Sequence, residues 1–178
     1  MRQAALWLGA AILVAAQLAP LSGRFSVHMA QHLLIGDVAP LLVVLGGVRV
    51  RVHPLVALPL WAASLCAWHL TPLYDAALDH TALHALQHAM FFVCGVLLWS
   101  GMLAPIALGW KFVYVAGMWL VSLALAQVFL WSGHAYYARY TLGDQRAGGG
   151  VMLVEGSAVM LGVLVWLLLV AFREPEPG

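Results

Sequence analysis

The chain has 178 residues, 64% hydrophobic and 8% charged, with a formal net charge of +1. Soluble domains carry about 25% charged residues, so this sequence could not clothe a globule with polar surface and reads as an integral membrane protein. Its near-neutral charge and lack of a basic run speak against nucleic-acid binding.

A membrane-crossing helix needs about 20 apolar residues. Six segments are candidates, at roughly 4–20, 25–46, 54–70, 82–104, 110–133 and 149–172. The first follows Met1 and Arg2 and also resembles a signal-peptide core, with AAQLA as a weak cleavage-like stretch; its length favours a retained helix. PLSGR then breaks the chain.

The second span carries FSVHMAQHLLIGDVAP. Asp37 lies nine residues past His28, on the opposite face of an ideal helix turning ~100° per residue. Pro40 can kink that helix. Asp37 is expected to be a hydrogen-bonded structural group. GGVRVRVHP ends the span.

The third span closes at His69, and TPLYDAALD reads as a turn-rich connection. The fourth opens with HTALHALQHAM. PIALGWK precedes the fifth, and HAYYARYTLGDQRAGGG separates it from the sixth, which carries Met152 and Glu155. The expected fold is an all-α polytopic transmembrane bundle of about six spans. It forms one domain over 1–172, followed by a short polar tail at 173–178. Cys66 and Cys94 form no CxxC and read as small buried hydrophobes.

With six spans, Arg2, Arg49, Arg51, Lys111 and Arg173 fall on one side, and Arg24, Arg139 and Arg146 on the other. Positive charge marks the cytoplasmic side, so both termini are placed there. His28, His32, His69, His80, His84, His88 and His134 then gather in the outer leaflet, and only His53 lies on the cytoplasmic side. This clustering depends on the span count, not on the orientation.

Residues four apart share a helix face. His28 and His32 form one such pair, with Met29 beside them; His84 and His88 form another, with His80 one turn above. Facing pairs on two helices can surround one ion, as in helix-bundle metal sites. Imidazole suits copper, zinc, iron and nickel, and thioethers from Met29 and Met152 add a preference for Cu(I). Ionisable groups inside spans are costly and usually functional, which favours a metal role for the two pairs. His53 and His80 read as interface residues bonded to headgroups or backbone, and His134 stands between the two readings.

Glu155 is a candidate to orient an imidazole or to bond a neighbouring helix. Asp144 reads as a turn or cap residue. Gly148, Gly149, Gly150 and Gly156 read as points of close helix approach. A haem clamped between the pairs, and a zinc or di-iron centre using Asp144 or Glu155, are the enzymatic or redox alternatives. A metal-free scaffold with histidines bonding between helices is the third. No nucleophile–base pair is apparent, and no catalysis is expected.

Three blocks together resemble the bacterial multi-span CtaG family of cytochrome c oxidase assembly factors. They are FSVHMAQHLLIGDVAPLLVVLG, WHLTPLYDAALDHTALHALQHAMFFVCGVLLW and YTLGDQRAGGGVML, in family order over roughly 24–172. The matching positions are His28, His32, His69, Tyr74, Asp75, His84, His88, Asp144, Gln145, Gly149 and Met152. Gln87 stands where the motif has an acidic residue, and Glu155 where it has an uncharged one. The resemblance implies a bacterial plasma-membrane protein that helps mature a haem–copper oxidase, most plausibly by handling copper and passing it to an oxidase subunit. Taken together with the spacing, this makes His28, His32, His69, His84, His88, Met29 and Met152 the expected metal ligands. Asp75, Asp144, Gln145 and Glu155 would then be supporting or structural groups.

Overall fold

The structure, a computed structural model, describes residues 1–19 and 23–172; the tail at 173–178, with Arg173, lies outside them. The described residues form seven helices and no strand. They are α1 (Arg2–Leu18), α2 (Phe25–Leu45), α3 (Pro54–Trp68), α4 (Thr71–Asp79), α5 (Thr81–Met102), α6 (Leu108–Leu130) and α7 (Leu142–Ala171). The helices α2, α5, α6 and α7 are each long and apolar enough to cross a membrane, and α3 with α4 makes a fifth if the bent pair counts as one span. The helix α1 is apolar but has only 17 residues.

Polarity is arranged inside out. Trp7, Leu55, Val113, Leu120, Val154, Leu161 and Leu169 are exposed, while His28, His32, Gln87, His88 and Gln145 are buried. Polar groups are costly against hydrocarbon, so they turn inward, where other helices supply partners. The central helix is α2, packed against α1, α5 and α7; α6 lies along α7, and α3 lies along α5. One end of the interior is filled by Val44, Leu98, Trp99, Met102, Tyr114 and Leu167. The other end is aromatic, built from Phe25, Tyr74, Phe129, Tyr137 and Tyr140.

The expected third connection is instead helix α4. Leu70 takes an extended backbone, Pro72 falls in the first helical turn, and the chain bends by 71° from α3. Proline suits that position because its missing N–H would be unpaired there anyway. Tyr74, Ala77 and Leu78 are buried, the i, i+3, i+4 spacing of a helix with one covered face. The last span also begins earlier than expected, because Thr141 caps α7 by accepting from the Asp144 N–H at 3.2 Å.

A π turn at Leu34–Val38 interrupts α2, with the Ala39 N–H donating to the Leu34 carbonyl. Pro40 has no N–H to continue the regular ladder, which favours such a local rearrangement. The extra residue shifts the helix register, so Asp37 faces the interior. There its Oδ1 accepts from Trp99 Nε1 at 2.8 Å, and Glu155 stands within hydrogen-bonding reach. The hydrogen bond expected of Asp37 is present, although its face differs from that of an ideal helix.

Two smaller expectations need correction. Cys94 is buried but Cys66 is exposed, since its face of α3 points outward. Gly148 and Gly149 do admit close neighbours, the Phe25 ring and the α6 backbone near Leu130, whereas Gly150 has open space and Gly156 only an ordinary contact with Ser122.

Candidate metal centre

Both histidine pairs occupy the first turns of long helices, and α2 and α5 present those turns to each other. His28 and His32 have ring centres 4.2 Å apart, and His84 and His88 have theirs 4.1 Å apart. Across the helices, His84 Nε2 lies 3.3 Å from His28 Nε2, and the His32 and His88 rings are 5.2 Å apart. One nitrogen from each of the four rings falls within 4.8 Å of all the others. A tetrahedral ion with nitrogens about 2.0–2.1 Å away sets pairs of them about 3.3–3.4 Å apart. The His28–His84 spacing meets that requirement.

The surroundings fix which nitrogens are free. His88 Nδ1 meets Gln17 Oε1 at 2.6 Å; donating there leaves the Nε2 lone pair for an ion. His28 Nδ1 faces the hydroxyls of Tyr74 at 3.2 Å and Tyr140 at 3.3 Å, leaving Nε2 toward His84. Both ring nitrogens of His32 and Nε2 of His88 are buried without a hydrogen-bond partner among the described residues. Buried polar atoms are rarely left unpaired in folded proteins, so these orphan nitrogens fit a ligand. The donor set is neutral imidazole, suited to copper or zinc.

Asp144 positions the α2 pair from across the bundle. Its carboxylate accepts from the backbone N–H of Phe25, from the Ser26 N–H at 3.3 Å and from Ser26 Oγ at 2.6 Å. It thus caps α2, whose first N–H groups lack partners within the helix. It is a cap residue as expected, but of α2 rather than of its own helix. Arg24 lies 3.9 Å away at the same end.

Gln145 accepts from the Tyr136 N–H at 2.7 Å and donates to the His134 carbonyl at 3.2 Å. This holds the α6–α7 connection over the site. From that connection Tyr137 donates its hydroxyl to the His69 carbonyl at 2.7 Å and stacks on Tyr74 with ring centres 4.0 Å apart. Burial, followed by the nearby Asp75 charge, pushes the Tyr137 phenol up, so it stays a donor. Asp75 is half-buried and acts on the tyrosines through its charge rather than touching the four rings.

The remaining sequence candidates lie apart. Glu155 faces Asp37, on the neighbouring-helix side of its two expected roles. His69, Met29 and Met152 line a cavity beyond His32, together with Asp37 and Glu155. His53 caps α3, accepting from the Leu55 N–H at 3.2 Å. His80 and His134 are exposed. Gln87 is buried and turned to the Trp68 carbonyl at 3.5 Å, away from the four nitrogens. Gln17 escaped sequence analysis: a single glutamine in an apolar run carries no spacing signal, and only the packing of α1 brings it to His88.

The family model Caa3_CtaG, described as cytochrome c oxidase caa3 assembly factor, matches residues 47–174. The match includes His69, His84, His88, Asp144, Gln145 and Met152, and begins after the helix bearing His28 and His32. No curated protein and no solved structure matches the chain.

Proposed function

The chain belongs to the cytochrome c oxidase caa3 assembly factor family, and on that premise we propose that it binds copper through His28, His32, His84 and His88 and delivers it to an oxidase subunit. The observation that carries this reading is the convergence of four imidazole nitrogens within 4.8 Å, with those of His32 and His88 Nε2 buried and without a partner among the described residues. A cytochrome c oxidase needs copper in its active centre, and an assembly factor with such a site has an evident cargo. Its work is to hold and release an ion; we assign it no catalysis.

The geometry weighs against the other metal readings. His28 meets the other three rings, and His32 meets His88, edge to face, while His84 and His88 are tilted; ring centres 4.1–6.3 Å apart leave no slot for a porphyrin between the pairs. Asp144 is engaged at the start of α2, and Glu155 stands beside Asp37, so neither brings a carboxylate to the four-histidine set. Zinc shares the imidazole preference and is the control metal. The five-to-three charge bias of the six-span reading supports an orientation with the histidine end on the outer side of a bacterial plasma membrane.

The test is made in cells. The chain is replaced by His28→Ala/His84→Ala at equal abundance, and the oxidase is purified. The expected result is assembled oxidase with a markedly lower copper-to-haem ratio, restored by the unaltered chain. A normal ratio in the variant would overturn copper delivery and favour a metal-free scaffold.

A further inference from the structure

The cavity beyond His32 measures ≈ 50 Å³ and is lined by His32, His69, Met29, Met152, Asp37 and Glu155, among apolar side chains. A water molecule's share of liquid volume is about 30 Å³, so an ion fits. Three observations give it ligand chemistry.

The first concerns His32. His28 and His88 each commit Nδ1 to a protein group. Both nitrogens of His32 are buried and have no partner among the described residues, so its ring can face the four-nitrogen set with one and the cavity with the other. The second concerns His69, which is 7% exposed. Its Nδ1 is fixed by the Leu65 carbonyl at 2.7 Å, leaving Nε2 buried and without a partner. An ion about 2.0 Å from a nitrogen on each ring would sit about 3 Å from each ring centre. The His32 and His69 ring centres are 6.1 Å apart, a span that one ion bridges. The third is softness: Met29 and Met152 also line the cavity, and thioether donors select Cu(I). Glu155 adds a buried, unpartnered Oε1 on the cavity lining.

We propose that the chain holds a second, inner Cu(I) subsite formed by His32, His69, Met29 and Met152, with His32 shared between it and the four-histidine set. The inference rests on the copper-handling role proposed above. It makes His32 a swivel through which an ion passes from an all-nitrogen set to a mixed nitrogen–sulfur set, with no change of oxidation state.

The probe is Cu(I) itself, titrated anaerobically into the detergent-purified full chain against a chromophoric Cu(I) chelator, with X-ray absorption on the loaded protein. The unaltered chain is expected to take two Cu(I) and to show a sulfur scatterer. Met29→Leu/Met152→Leu, a near-isosteric change, is expected to take one, with nitrogen scatterers alone; the retained outer ion reports that it is folded. His69→Gln is expected to show the same loss of one ion. A single copper with nitrogen ligands in the unaltered chain would overturn the inner subsite and leave copper handling standing. Two ions with sulfur still present in the methionine variant would overturn the ligand assignment. No Cu(I) uptake at all would remove both.

Discussion

Gln17 shows how a residue outside every motif can orient a histidine of the candidate centre. Its Oε1 accepts from His88 Nδ1 at 2.6 Å, which fixes the ring and its tautomer and directs Nε2 inward. Such supporting partners typically contribute 10–100-fold to metal affinity. Gln17→Leu keeps the approximate shape and removes the acceptor. It is expected to weaken Cu(I) binding about 10–100-fold with little change in thermal stability, measured by chelator competition and a melting curve. Unchanged affinity would show that His88 is oriented by packing alone. The four clustered histidines themselves were legible in the sequence, because i, i+4 spacing in a membrane helix is a strong signal. Gln17 was not, since its role comes from how α1 lies against α2 and α5.

Among the elements, α2 and α5 must approach closely for their pairs to meet. Gly95 permits this: a Cβ there would collide with the Gly36 carbonyl oxygen and come within 2.7 Å of the Pro40 ring. Gly95→Ala therefore forces backbone apart, and overpacking of this kind costs about 1–3 kcal/mol. The variant is expected to melt lower and to bind copper more weakly. Gly109→Ala, at a position with nothing within 4 Å, should change neither. Equal behaviour of the two variants would show that the α2–α5 contact does not set the site. This contact was hidden from the sequence because the π turn at Leu34–Val38 breaks the regular period just where the helices touch. The same irregularity explains why Asp37 meets Trp99 rather than lying on the face an ideal helix gives it. The α4 helix was missed for another reason: TPLYDAALD holds a proline and two aspartates, the composition of a turn, and its helical face appears only once Tyr74, Ala77 and Leu78 have a core to enter.

For the whole molecule, hydropathy and charge conveyed the all-helical membrane bundle, and the span count was approximate because α1 is short and α3–α4 is bent. The sidedness proposed from the lysine and arginine distribution has its own test. In a Cys66→Ala background, which removes the exposed native thiol, His80→Cys should react with a membrane-impermeant thiol reagent on intact cells. Arg51→Cys should react only after the cells are opened. The reverse pattern would place the histidine end in the cytoplasm and direct delivery inward.

Copper content decides whether the cluster is a metal centre at all. The chain and its His84→Ala/His88→Ala variant would be purified without a tag in detergent, incubated with Cu(I), freed of excess and measured by mass spectrometry, with zinc as the control metal. Copper retained by the unaltered chain, and one ion fewer per chain in a variant that keeps its helical spectrum, is the expected result. No copper in either protein, or equal copper in both, would contradict it.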